Sequence, residues 1–304
     1  MTRAPDPLPS PLDAAPFSTR EADAAGVSAS RLRAQDLERP FVGVRTAAAP
    51  ATVEELARAY APILAPGEFF SHVTAAVLHG MWLPLGLEQR LQLDVSVRKP
   101  QRAPRDARVQ GHHLVDRPGL AWTVRGLPVA NPWEAWAQLA RVLSVTDLVI
   151  AGEALLSKDR SNRRAMLERL LDVAADPDRP FHRRLARAAS LLRVDSRSAG
   201  ETRFRLLLAR SGLPEPTINV RIHDRHGRFI GEGDLVYAAE MVLVEYEGDG
   251  HRERGQFRRD ISRVEEFVAA GWRVIRVTAD DERNPSSRVL AILTQALHDR
   301  RRRS

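Results

Sequence analysis

The segment GEGDLVYAAEMVLVEYEGDGH, residues 231–251, constrains the fold of this chain more than any other. The apolar run 242–244 is typical of an interior strand, and Glu245 and Glu247 follow it two residues apart. Because the side chains of a strand alternate between its two faces, both carboxylates are predicted to lie on one face. The two acids therefore share one environment in a segment that otherwise has the pattern of a buried sheet.

The same segment predicts a hairpin with a turn near residues 238–240. In an antiparallel pair centred between residues 239 and 240, Asp234 lies opposite Glu245 because each is equally far from the centre. Three carboxylates, those of Asp234, Glu245 and Glu247, would then converge. Two such charges about 4 Å apart repel by on the order of 4 kcal/mol at an effective dielectric of about 20. The cluster therefore needs a cation, a protonated member or arginine partners, and a divalent metal is the simplest choice.

The composition limits the classes of protein that remain. A chain of 304 residues with 43% hydrophobic and 28% charged residues suggests two or three folded domains. The absence of cysteine excludes disulfides, thiolate zinc sites and cysteine nucleophiles, so carboxylates and histidines are the candidate metal ligands. No apolar stretch reaches the length of a membrane span or of a signal-peptide core, which predicts a cytoplasmic protein without membrane association.

The net charge of +7 is compatible with a nucleic-acid partner. The basic residues are almost all arginines, and the codon bias of a GC-rich genome offers a second explanation for their excess. The terminal run 300–303 fits a solvated tail as well as a binding segment. DNA is the expected partner, with a protein partner or a second copy of the chain left open.

The first fifty residues predict a disordered tail followed by a winged helix-turn-helix. Residues 1–14 are rich in Pro, Ala and Asp. Within 15–50, one helix ends at Gly26, a second runs through Ala34, and the alternation at 38–46 indicates a small wing. Candidate contacts to DNA phosphates on the second helix and wing are Arg31, Arg33, Arg39 and Arg45. A small protein-interaction domain with surface arginines is the alternative.

The middle of the chain mixes helical and strand patterns, which predicts an α+β domain at 51–157 and a helical connector at 158–197. His72 and His79 share a face of a predicted helix, but no third ligand is suitably spaced, so structural roles are favoured for both. His112 and His113 would point to opposite faces of a strand and are poor candidates for joint ligation.

Residues 198–304 predict helix, three antiparallel strands, helix, strand and helix, with the acids on the middle strands. The three strands are expected at Thr217 to His223, Arg228 to Tyr237 and Met241 to Glu247. Glu201 stands three residues after Ser198, the spacing of a capping box. Capping explains this acid fully, and a catalytic role remains open beside it.

These blocks resemble the PD-(D/E)XK nuclease superfamily and, within it, the Vsr-like (very-short-patch-repair-like) domains common in actinobacterial proteins. The matching blocks over the last third are SAGETRFRLLLARSGLPEP, GEGDLVY, VLVEYEGDGH and QFRRDISRVEEFVAAGWRVIRVT. The preceding two thirds resemble antitoxins of the abortive-infection AbiEi type through FSTREADAAGVSASRLRA, SHVTAAVLHGMWLP and GLPVANPWEAWAQLARVL. The resemblance implies an α/β (α+β) chain with an N-terminal winged helix, a middle α+β domain and a C-terminal restriction-endonuclease-like mixed sheet flanked by helices.

The nuclease resemblance also implies roles for individual acids. It makes Asp234 and Glu245 metal ligands, with Glu201 as a supporting acid and Mg²⁺ or Mn²⁺ as the cofactor. Glu247 takes the position where the superfamily usually has a lysine. A carboxylate there can bind metal or accept a proton, but it cannot stabilise a phosphorane as lysine can. Catalysis would therefore depend more heavily on the metal.

Three further residues beyond the hairpin are candidates. His251 lies just past the strand and could act as a general acid or base, or it could simply fasten the turn. Arg259 and Arg263 share a face of the next helix, where they could contact DNA or lie on the surface.

The leading prediction is a metal-dependent endonuclease acting on DNA in repair, defence or a toxin-antitoxin system. The alternative is a DNA-binding transcriptional regulator or antitoxin whose nuclease fold is not catalytic. A purely structural partner domain would leave the acidic cluster unexplained.

Overall fold

A computed structural model of the chain describes residues 5–115, 117, 119–247, 263–283 and 288–301. Its contacts divide the chain into two compact units, Met1–Ala151 with Glu168–Arg187, and Gly152–Leu167 with Ala188–Ser304. Helices and strands both contribute throughout, which confirms the predicted α+β class. Among the helices in the described ranges, none has the length and apolar character needed to span a membrane.

The N-terminal region of the first unit is small and has little regular structure. Its elements are β1 (Phe17–Ser18), α1 (Thr19–Ala24) and β2 (Val44–Arg45), with β1 and β2 antiparallel. Ser18 caps α1 and Glu21 completes a capping box. Residues 5–14 differ from the predicted disordered tail, because Leu8 and Leu12 pack on a core that includes Phe17.

The prediction of a second helix that runs through Ala34 is wrong, because the structure has a much shorter element there. Arg31–Arg33 form a single 3₁₀ turn, after which the backbone at Ala34 is extended. The guanidinium of Arg45 donates to the carbonyl oxygen of Leu32 at 2.8 Å, which occupies an acceptor that a longer helix would use. The predicted wing reduces to β2 and one bridge between Glu38 and Thr46. This region therefore lacks, within its described residues, a helix long enough to read a major groove.

The middle region forms a six-stranded mixed sheet in the order β5-β6-β4-β3-β8-β7. Its strands are β3 (Phe69–Phe70), β4 (Leu93–Arg98), β5 (Arg105–Asp106), β6 (Val109–Leu114), β7 (Ala121–Val124) and β8 (Leu127–Ala130). Its helices are α2 (Val53–Tyr60), α3 (His72–Leu78), α4 (Leu85–Glu88) and α5 (Pro132–Gln138). Strands β7 and β8 form a hairpin, because Arg125 and Gly126 both adopt positive φ and reverse the chain.

Three helices follow, and the chain passes from one compact unit to the other within them. They are α6 (Val145–Lys158), α7 (Arg163–Ala175) and α8 (His182–Ala189). The helical connector predicted at 158–197 is broken between Ala175, where α7 ends, and His182, where α8 begins.

The second unit ends in the predicted order of elements. These are α9 (Ala199–Arg210), β9 (Thr217–His223), β10 (Phe229–Tyr237), β11 (Val242–Glu247), α10 (263–269), β12 (Arg273–Thr278), α11 (Ala279–Arg283) and α12 (Arg288–Arg301). The sheet order is β12-β11-β10-β9, antiparallel except for the parallel pair β11 and β12. The short helix α11 is the one described element of this unit that the sequence did not predict.

The hairpin register confirms the prediction from symmetry about the turn. Leu235 pairs with Val244 and Tyr237 with Val242, so the centre lies between residues 239 and 240. One further step along this register sets Asp234 opposite Glu245. The turn closes through the N–H of Met241, which donates to the carbonyl of Ala238 at 3.2 Å.

The four-stranded sheet is covered on both faces, which is why its central strands carry apolar runs. On one face, α9 and α12 pack against β11 through a cluster that includes Phe204, Leu293 and Val244. On the other face, Phe267 of α10 packs against Leu243. The acids of the hairpin therefore lie on strands of a covered sheet rather than on an open surface.

Candidate functional site

The two glutamates of β11 lie on one face of the strand, as predicted from their spacing. Val244 and Tyr246, which alternate with them, point to the opposite face and join the core beneath α9. Glu245 is buried, and its carboxylate pairs with Arg263 of α10 at 3.0 Å. Glu247 forms an ion pair with Arg276 of the neighbouring parallel strand. Arginines thus supply the compensating charge that the sequence required for these two acids.

Asp234 of β10 reaches across the hairpin to the backbone of β11. Its Oδ2 accepts a hydrogen bond from the N–H of Tyr246 at 2.9 Å. Burial raises the pKa of the Asp234 carboxyl to about 6, and the negative charge of Glu201 adds to the rise. The Tyr246 N–H and the positive charges of Arg263 and Arg197 act in the opposite direction. Glu201 therefore lies close enough to Asp234 for its charge to act on this carboxyl.

Glu201 is held at the start of α9 by three hydrogen bonds. Its carboxylate accepts from the hydroxyl of Ser198 at 3.0 Å, the N–H of Arg197 at 3.1 Å and the amide of Asn219 at 2.8 Å. Ser198 is the N-cap of the helix, and its Oγ accepts from the N–H of Glu201. The capping role read from the sequence is therefore confirmed, with the backbone bond made to Arg197 rather than to Ser198. Its predicted supporting role at a metal site stays a prediction.

The carboxylates of Asp234, Glu245 and Glu247 do not converge on one point in this arrangement of side chains. Within the described ranges, the one set of three metal-ligating groups with mutual separations within 4.8 Å lies elsewhere in the fold. The reason is that Arg263 and Arg276 draw Glu245 and Glu247 toward themselves, while the Tyr246 N–H holds Asp234. The ligand roles of Asp234, Glu245 and Glu247 therefore stay predictions.

A polar cavity of about 240 Å³ lies near Glu201. Arg160, Arg163, Arg197 and Asn219 are among the residues that line it, so it shares Asn219 with the surroundings of Glu201. Arg163 pairs with Asp195 at 2.8 Å, and Arg197 pairs with Glu232. An anionic group entering this cavity would meet three guanidinium groups and one carboxylate, that of Asp195.

Two curated proteins from Mycobacterium tuberculosis strains are similar to this chain. They are "Uncharacterized protein Rv2248" and "Uncharacterized protein MT2308", each 31% identical over 101 residues. The match covers 33% of this chain and 37% of each relative, so the chain spans well under half of their length. No family model and no solved structure matches the chain.

Hydrogen bonds within the chain engage three of the four N-terminal arginines predicted to contact DNA. Arg31 makes two bonds to Asp36, at 2.9 and 2.8 Å, and Arg39 donates to the carbonyl of Arg33 at 3.1 Å. Arg45 holds the carbonyls of Leu32 and Val44, both at 2.8 Å. These bonds account structurally for Arg31, Arg39 and Arg45, and the predicted contacts to DNA remain predictions.

Two predicted site residues, His251 and Arg259, lie outside the described residues. Arg263, predicted with Arg259, is the partner of Glu245. Sequence reasoning missed Asn219 and Arg276, because each reaches the acids through tertiary packing or strand pairing rather than through spacing along the chain. It also missed Arg197, whose backbone N–H reaches Glu201 locally at the start of α9. The alternation in the strand RVIRVT was the available signal for Arg276, since it puts this arginine on the polar face beside β11.

Proposed function

We propose that the second unit is a metal-dependent endonuclease that hydrolyses phosphodiester bonds of DNA, in repair, defence or a toxin-antitoxin system. The observation that carries this proposal is the Asp234 carboxyl, which faces Glu245 in the hairpin register and has a pKa of about 6. Strongly perturbed carboxyl groups that cluster with other acids are typical of functional sites. The resemblance of residues 198–304 to the PD-(D/E)XK superfamily supports the same assignment.

The donor chemistry of the hairpin fits Mg²⁺, which prefers carboxylate oxygens. Asp234 and Glu245 would hold it, with Glu247 as a third ligand. In the described arrangement Arg263 pairs with Glu245, so cation binding requires this guanidinium to leave the carboxylate. Bound there, Mg²⁺ would supply Lewis-acid polarisation of the phosphate and a bound water of lowered pKa.

The protein groups around the acids would bind and orient the substrate. Asp234, with a pKa near 6, is mostly ionised at neutral pH and can hold a cation or accept a proton. Arg160, Arg163 and Arg197 form a cavity suited to a phosphate group. Glu247 replaces the usual lysine, but the ion pair with Arg276 returns a positive charge to this position from the neighbouring strand.

The second candidate is a DNA-binding regulator or antitoxin with a non-catalytic nuclease fold. The observation that favours it is that both strand glutamates already hold arginines, which compete with a metal for the carboxylates. Such a protein would bind DNA through the polar cavity and would not cleave it.

The two functions are separated by a cleavage assay with the purified full-length chain. Substrates would be duplex, mismatched, nicked and single-stranded DNA and single-stranded RNA, in Mg²⁺ and in Mn²⁺. The nuclease proposal predicts cleavage of at least one DNA substrate. Asp234→Asn and Glu245→Gln should reduce the rate by about 10²-fold or more, while DNA binding is retained or strengthened because phosphate is repelled less.

Glu265→Gln is the matched control, since this exposed acid lies on α10 two residues from Arg263. It should cleave like the unmodified protein. Cleavage that survives both site substitutions would show that the nuclease site lies elsewhere. Duplex binding without cleavage under any of these conditions would favour the regulator.

A further inference from the structure

A second cluster of ligand-bearing side chains lies in the first unit, far along the sequence from the acidic hairpin. His72 begins α3, Asp94 lies on β4 and His112 lies on β6, which pairs in parallel with β4. The Nε2 of His112 is 2.7 Å from Oδ1 of Asp94. The ring of His72 stacks on that of His112 with centroids 3.9 Å apart.

This arrangement corrects part of the interpretation drawn from spacing along the chain. His79 is structural as predicted, because its Nε2 lies 2.7 Å from the carbonyl oxygen of Ala130 in the core. His72 does not pair with His79. Its potential co-ligands are Asp94 and His112, which the pairing of β4 with β6 brings together. His113 turns away, as predicted, and meets the carbonyl of Gln101 at 2.9 Å.

The three groups have the chemistry and nearly the spacing of a metal site. Their ligand atoms all lie within 4.8 Å of one another. Zinc bonds of about 2.0–2.2 Å put two ligands of a tetrahedral ion about 3.4 Å apart, so the largest contraction needed is about 1.4 Å. Two imidazoles and one carboxylate favour Zn²⁺ or a similar transition metal over Mg²⁺ or Ca²⁺. This site is therefore chemically distinct from the carboxylate hairpin.

Buried polar groups hold two of the candidate ligands in position. The hydroxyl of Ser71 lies 2.9 Å from Nδ1 of His72 and accepts a hydrogen bond from Ser96 at 2.6 Å. The N–H of Asp94 donates to the hydroxyl of Thr74 at 2.8 Å. All three hydroxyl residues are fully buried. Hydrogen bonds of this kind orient metal ligands and fix the imidazole tautomer.

The backbone at His72 is held in an uncommon conformation. Its φ is 48°, in the left-handed region, and its N–H donates to Oε1 of Gln138 at 2.7 Å. Residues in this region cost on the order of 1 kcal/mol and persist where the surroundings determine them. In this conformation the His72 ring stacks on that of His112.

A cavity of about 480 Å³ opens beside the two imidazoles. His72 and His112 form part of its wall, together with Arg141. A zinc ion with three protein ligands keeps a fourth position for water or a substrate. The cavity offers room for such a fourth ligand, which an entirely closed structural site would not have.

We propose that His72, Asp94 and His112 form a three-ligand site for Zn²⁺ or a similar transition metal, facing this cavity. The site is independent of the nuclease proposal, since it uses different residues and a different class of metal. The competing explanation is a metal-free structural network in which the Asp94–His112 bond and the stacked rings only tie the sheet to α3.

The test is direct metal binding by the full chain purified without a histidine tag and stripped with a chelator. Zinc alone is titrated by calorimetry, and Co²⁺ alone by visible absorption, which is intense for a tetrahedral site. We expect one equivalent of zinc per chain. His72→Gln, Asp94→Asn and His112→Gln should each weaken binding by about tenfold or more. His113→Gln, on the same strand, should bind zinc like the unmodified protein.

Zinc X-ray absorption of the unmodified protein keeps the test decisive if a variant fails to fold. Scattering from two imidazoles is the expected result. The proposal is overturned if the unmodified chain binds no zinc, if all variants bind it equally, or if the bound zinc has no imidazole ligand. None of these outcomes depends on whether DNA is cleaved.

Discussion

Asp234 accepts a hydrogen bond from the backbone N–H of Tyr246, across the hairpin that joins β10 and β11. The bond fixes the carboxylate beside Glu245 without using the side chain of either glutamate. The Tyr246 ring packs on the opposite face, under the start of α9 that carries Glu201. Tyr246 thus contacts Asp234 through its backbone and the start of α9 through its ring. Substitutions at these contacts should affect the stability of the second unit.

Asp234→Asn should stabilise the metal-free protein at neutral pH. The pKa of about 6 exceeds the ordinary value of 3.8, so the acid form favours folding. That contribution is present below about pH 4 and is lost as the pH rises through 6. The ionised carboxylate therefore costs up to about 3 kcal/mol at pH 8. Urea unfolding in a chelator should show the variant more stable at pH 8 and equal to the unmodified protein at pH 4.

Glu232→Gln is the matched comparison on the same strand, because the pKa of Glu232 is shifted in the opposite direction from that of Asp234. The ion pair with Arg197 lowers the pKa of Glu232, so its ionised form favours folding. This variant should be no more stable than the unmodified protein at pH 8. Equal stability of Asp234→Asn and the unmodified protein at pH 8 would contradict the raised pKa of Asp234.

Gly200→Ala should destabilise the second unit although alanine is the better helix former. A Cβ at residue 200 would overlap the ring of Tyr246. Overpacking of this kind costs about 1–3 kcal/mol, against a propensity gain of up to about 1 kcal/mol. Thermal unfolding should show the loss. Gly86→Ala in α4, where a Cβ meets no atom within 4 Å, should cause none, and equal behaviour of the two variants would argue against the contact.

The hairpin could be predicted from the sequence because its determinants are local. The apolar run, the two-residue spacing of the glutamates and the symmetry about the turn fix which residues face each other. The partners of these acids could not be predicted in the same way. Arg276 reaches Glu247 through a parallel strand pair, and the Tyr246 N–H reaches Asp234 through the sequence-independent backbone.

The histidines show the same division between local and non-local information. The pattern separated His112 from His113 correctly, since neighbouring residues of a strand face opposite ways. It could not join His112 to Asp94, because the parallel register of β4 and β6 depends on tertiary pairing. In the N-terminal region, helix propensity predicted a second helix. The structure has only a 3₁₀ turn there, and the Leu32 carbonyl accepts a hydrogen bond from the distant side chain of Arg45 instead.

Arg205→Met should be among the most destabilising single changes in the second unit. Arg205 and Glu153 form an ion pair of 2.6 Å in which both side chains are inaccessible to solvent. Removing one partner leaves a buried charge and costs about 3–5 kcal/mol. Burial already raises the pKa of Glu153, so the loss should shrink as the pH falls and the carboxyl takes up a proton.

The double variant Glu153→Leu with Arg205→Met should recover much of this stability, because no unpaired charge remains buried. The N–H of Arg193 and the hydroxyl of Thr202 lose an acceptor in it, which leaves a residual cost. Urea unfolding of both single variants and the double variant measures the coupling. Additive effects of the two single changes would show that the pair is not coupled as described.

Arg160→Ala should weaken DNA binding by the same factor for every sequence. Arg160 is exposed at the polar cavity, where it would neutralise a phosphate rather than read a base. Loss of one phosphate contact lowers the slope of log K against log salt by about 1. Fluorescence anisotropy at several salt concentrations measures this slope. Arg210→Ala removes the same charge from the far end of α9, and an equal change in both variants would indicate general electrostatics instead of a contact at the cavity.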